Sequence, residues 1–94
     1  MYARLVRFSF APGKQSGAQA LADELAPAIA SQPGCAGVTF FVDDNDGEGG
    51  LFVLWNSEEA ANAAAQIIRP QLDKHLAGNI AAPPDARLFK VISK

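Results

Sequence analysis

The chain is nearly empty of the residues that most recognisable chemistry requires. Its 94 residues include one cysteine, Cys35, and one histidine, His75. A lone cysteine closes no internal disulfide and leaves no paired thiols for structural zinc or an iron–sulfur cluster. It also fits a reducing compartment. No Ser-His-Asp pattern and no Gly-rich phosphate loop occurs. Cys35 reads as a small hydrophobe after a helix terminus, since no histidine-bearing triad surrounds it. Asp44-Asn45-Asp46-Gly47 lacks the first loop ligand and the closing glutamate of an EF-hand, so it reads as a solvated turn. Charge is sparse too. The formal net charge is −2, which offers no basic field to nucleic acid or anionic lipid. Arg4 and Arg7 interrupt the apolar start of the chain, against both a signal peptide and a membrane span. The expectation is a cytoplasmic protein with no metal, nucleic-acid or membrane partner.

What the chain does have is apolar side chains, 49% of the total, enough for one folded domain over residues 1–94. Four stretches read as strands: 2–10, 38–42, 51–55 and 87–92. Side chains in a strand alternate faces, so Phe40 and Phe41 point oppositely, as do Phe52 and Val53. All four stretches are therefore apolar on both faces. Only two helical stretches exist to cover them, and two helices cover one side of a four-stranded sheet. The other side reads as an association surface, because soluble monomers rarely expose apolar patches beyond a few hundred Å². A sheet-to-sheet homodimer follows.

Helix one is expected from about Ser16 to Ser31, with Leu21, Leu25, Ala28 and Ile29 on one stripe and Ser16 as its N-cap. Pro27 should bend it, and Pro33-Gly34 ends it. A hairpin with an acidic tip over 43–50 joins the second and third strands. Ser57 caps helix two, and Glu58 and Glu59 favour its positive end. Ala60, Ala61, Ala63, Ala64 and Ala65 give that helix very small side chains. Pro70 is expected to break it and to begin a short continuation through Leu72 and Leu76 to Gly78. The order is β-α-β-β-α-β, an α+β ferredoxin-like arrangement.

Two motifs carry a resemblance. Pro33-Gly34-Cys35-Ala36-Gly37 leads into the second strand, and Trp55-Asn56-Ser57-Glu58-Glu59-Ala60 follows the third. Together they resemble the antibiotic biosynthesis monooxygenase family of dimeric α/β barrels. The resemblance implies a four-stranded antiparallel sheet with two helices on one face and a second protomer against the other. It also implies a small ligand held between helices and sheet. Activities in the family diverge and include cofactor-free oxidation of anthrones and quinols, and haem degradation. The haem-degrading branch keeps an asparagine about where this chain has Arg7, and a tryptophan where Ala63–Ala65 stand. Both departures argue against haem.

The resemblance makes His75 the candidate catalytic base, deprotonating a phenol or quinol that then passes an electron to O₂. The alternative is a surface histidine near a helix C-terminus. Arg7, Trp55 and Asn56 are the candidate substrate-binding residues. Arg7 would hold a phenolate or enolate anion, or else pair with an acid such as Asp73 or reach solvent. Trp55 would wall an aromatic pocket, or simply pack. Asn56 would orient a ligand oxygen, or only begin a turn. Two functions stand: a cofactor-independent monooxygenase acting on a small aromatic, and a non-catalytic binding or stress-response barrel. Stress-response barrels typically carry a histidine at the start of strand one, where this chain has Tyr2. An RNA-binding reading of the same element order needs a basic, exposed sheet face and lacks it.

Overall fold

Alternation along the four extended stretches builds one sheet, seen in a computed structural model describing residues 1–94. The strands are β1 (Tyr2–Ser9), β2 (Cys35–Val42), β3 (Glu48–Trp55) and β4 (Asp85–Lys90), ordered β2-β3-β1-β4. All neighbours are antiparallel, and Val6 at the centre of β1 faces Leu51 on one side and Ala86 on the other. The β2–β3 register slips between Cys35 and Gly37, where β2 leaves the preceding turn.

Helices α1 (Ala18–Ala30) and α2 (Glu58–Leu76) lie on one face of the sheet. Leu25, Ile29, Leu72 and Leu76 are the largest fully buried side chains, and they meet Val6, Phe8, Leu51, Val53 and Trp55 from the sheet. Burying each such leucine stabilises the fold by about 1.5–3 kcal/mol. The opposite face has no helix on it. There Phe41, Phe52 and Phe89 remain 43%, 38% and 40% exposed, beside Leu5 and Leu54. The sequence expectation of one covered and one bare apolar face is met within the protomer.

Two helix expectations need correction. Ser16 does not cap α1. It sits in a single 3-10 turn (Gln15–Gly17), and Gly17 occupies the cap position without a side-chain bond. Pro70 does not break α2, which runs through it for 19 residues. Proline withholds one N–H, leaving the Gln66 carbonyl without its usual partner. Both halves of α2 nevertheless bury one stripe, Ala61, Ala64, Ile68, Leu72 and Leu76, against the same sheet, and that packing keeps the axis continuous. Ser57 caps α2 as expected, its Oγ accepting from the Ala60 N–H at 3.1 Å.

The two sequence motifs are in contact. The Asn56 N–H donates to the Gly34 carbonyl at 2.8 Å, and the two turns close against each other at the start of α2. Gly34 has φ +83°, and a Cβ there would lie 2.6 Å from that of Ala60. Only glycine satisfies both constraints.

Candidate functional site

The small side chains of α2 hold the helix over the sheet without filling the space beneath it. The result is a cavity of about 470 Å³ between α2 and the strands β1, β3 and β4. Ligand pockets usually span about 300–1,000 Å³. Strand alternation supplies the floor: Val6 from β1, Leu51, Val53 and Trp55 from β3, and Ala86 from β4. Ile29 reaches in from α1, and Ala61, Ala64, Ala65, Ile68 and Leu72 form the roof. The alanines of α2 were equally compatible with close helix–sheet packing; here they leave room above the sheet.

Polar groups reach the cavity from three side chains, Arg4, Gln66 and Arg69. Arg4 shares the inward face of β1 with Val6 and Phe8, and its Nη2 donates to Asn62 Oδ1 at 3.1 Å, linking β1 to α2. Burial lowers the Arg4 guanidinium below its ordinary pKa. Arg69 is tied to Asp73 one turn along α2, at 3.0 Å. The lining contains no carboxylate, imidazole, hydroxyl or thiol.

The four candidate residues are not gathered in one place. Trp55 is 3% exposed and lines the cavity. Arg7 does not: it is one residue out of phase with Val6, so it projects from the bare face and pairs with Glu48. The guanidinium that β1 brings to the cavity is instead that of Arg4, three positions earlier. Asn56 is exposed and lies outside the lining, its backbone engaged in the turn with Gly34. His75 also lies elsewhere. Its Nε2 stands 3.2 Å from Glu24 Oε2, in a separate recess with Phe10, Lys14, Leu21 and Asn79. It is positioned near the C-terminus of α2, beyond the strands that floor the cavity, where it faces α1.

Arg4 was missed because parity alone does not say which of two apolar faces the helices cover. The available signal was its phase: Arg4 matches Val6, Phe8 and Phe10, the bulkier set. Pro70 was a second signal, since a proline inside α2 places the unpaired Gln66 carbonyl in the segment that borders the cavity.

Comparison with known proteins agrees with this geometry. The family model described as antibiotic biosynthesis monooxygenase matches residues 1–66. A search of curated proteins gives no match. Among solved structures, NE2512 of Nitrosomonas europaea, a protein of unknown function, superposes with TM-score 0.85 at 17% identity, covering 99% of this chain and 90% of its own. SnoaB of Streptomyces nogalater, a cofactor-independent oxygenase, gives 0.77 at 20% identity, with coverages of 99% and 94%. The ActVA-Orf6 monooxygenase of Streptomyces coelicolor, solved with nanaomycin D, gives 0.73 at 20% identity, with coverages of 99% and 88%. At such identities the superpositions establish a shared fold.

Proposed function

The chain belongs to the antibiotic biosynthesis monooxygenase family, and we propose that it oxidises a small aromatic substrate of quinol or anthrone type with O₂, using no cofactor. The observation that carries this reading is the chamber beneath the alanine face of α2, lined mostly by apolar side chains and walled by Trp55. The solved SnoaB and ActVA-Orf6 share the fold, which supports oxygenase chemistry without transferring their substrates. For an anthrone the change balances simply. The methylene carbon loses two hydrogens and gains one oxygen atom from O₂, and the second oxygen atom leaves as water.

His75 and Arg7 stand outside this reading, because neither borders the chamber. A second copy pressed against the bare sheet face completes the proposed assembly, since Phe41, Phe52 and Phe89 would otherwise stay half-wet. The direct test is oxygen uptake with a panel of anthrones and quinols, repeated with Ala64→Phe, which fills the chamber from its roof. Turnover in the parent and its loss in the filled variant are expected. Equal turnover in both would place the reaction elsewhere.

One observation favours a non-catalytic binding protein as the second reading: no side chain in the lining can act as a general base near neutral pH. Ligand-dependent thermal stabilisation with no oxygen consumption across the panel would select it.

A further inference from the structure

The Arg4 guanidinium is a feature of the chamber that an apolar ligand would leave unused. It is drawn between β1 and α2, and burial disfavours its charge. The three ion pairs of the protomer join Arg7 to Glu48, Arg69 to Asp73 and His75 to Glu24. Arg4 has no carboxylate within reach. Its side-chain partner is the neutral amide of Asn62, which takes one of its five N–H donors. A partly buried cation without a counter-ion is costly, and an anion in the adjoining space offsets that cost. Apart from Gln66 and Arg69 the remaining wall is apolar, so Arg4 brings a charge to a mostly greasy volume.

We propose that Arg4, steadied by Asn62, is an anion subsite, and that the ligand of this chamber is an aromatic body bearing one ionised oxygen group. The inference rests on the reading of the chamber as the ligand site. It narrows that reading to substrates that enter as anions. Arg69 stands by at the same chamber but is held by Asp73, so the selecting charge is Arg4. With no base in the lining, the substrate loses its proton before it binds, and the protein favours the ionised form already present in solution. A carboxylate or a phenolate supplies the same chemistry, and the two are separable by experiment.

The test is calorimetric titration of the full chain with 2-naphthoate and with its neutral isostere, methyl 2-naphthoate. A phenolate arm uses 2-naphthol below and above its own ionisation. A charge-assisted hydrogen bond contributes about 1.5–3 kcal/mol, roughly a 10- to 100-fold preference for the anion. Arg4→Gln should abolish that preference while leaving the neutral ester's affinity within about twofold. Arg4→Lys should restore part of it, and Arg69→Gln should leave it in place. A carboxylate source is indicated if naphthoate is preferred at every pH, and a phenolate source if only ionised naphthol gains. Equal binding of acid and ester by the parent overturns the proposal, as does a preference that survives Arg4→Gln or is lost in Arg69→Gln. If neither acid nor ester nor naphthol binds, the chamber is not the ligand site, and the reading beneath this one falls with it.

Discussion

At the scale of single residues, burial and backbone geometry make the clearest forecasts. Leu72 is 2% exposed between α2 and the sheet, so Leu72→Ala should cost about 2–5 kcal/mol by chemical denaturation. Gly34→Ala should destabilise as well, since the new methyl must share space with Ala60 at a positive φ. Glu24 of the Glu24–His75 pair is 66% exposed and His75 30%, so losing the ion pair itself should cost under about 1 kcal/mol, and Glu24→Gln measures it. His75→Ala should keep full turnover on any substrate found, and a fall of more than tenfold would return His75 to the reaction. Residue roles were the least legible part of the sequence. Trp55 shares the phase of Leu51 and Val53 and lines the chamber, but Phe52 and Leu54 make the other face of β3 apolar too, so the sequence left its role open. Arg4 and Arg7 could not be told apart, because Leu5 and Val6 make both faces of β1 apolar.

At the scale of elements, hydrophobic runs located all four strands but not their ends: β4 runs Asp85–Lys90 where 87–92 was expected, and β2 and β3 begin earlier, at glycine-bearing segments. β3 begins at Glu48, three residues before the apolar run, because Gly49 and Gly50 continue its pairing with β1. A Cβ at Gly50 would run into the Val6 carbonyl oxygen, so this glycine is needed for β1 and β3 to approach, although glycine scores poorly as a strand former. The reach of α2 was also hidden. Local propensity says that a proline stops a helix, and the buried stripe from Ala61 to Leu76 overrules it. Pro70 therefore sits in α2 at a net cost. Pro70→Ala should supply the missing N–H to Gln66 and stabilise the domain by about 1–3 kcal/mol. For a chain of this size that corresponds to a rise in Tm of about 4–8 °C for each kcal/mol. An unchanged or lower Tm would mean that the Gln66 carbonyl already has another partner.

At the scale of the whole molecule, the asymmetry between the two sheet faces governs behaviour. One face is sealed by two helices, and the other presents Phe41, Phe52 and Phe89 to solvent. Two copies of the 9.9 kDa chain, about 20 kDa together, should elute as one species at micromolar concentration in light-scattering chromatography. Phe52→Lys should shift that species towards the single chain, and a parent already eluting as a single chain would remove the sheet-to-sheet assembly. No helix is long and apolar enough to cross a membrane. On the proposed function, the two layers would answer to different demands, one to folding and pairing, the other to the guest. Three of the five side chains in the chamber's roof, Ala61, Ala64 and Ala65, are bare methyl groups carried on a 19-residue helix. Lengthening any one of them to valine or leucine trims the bore locally and leaves the helix, the strands and the pairing face where they are. The size of the proposed guest would thereby be adjustable one position at a time, without rebuilding the fold.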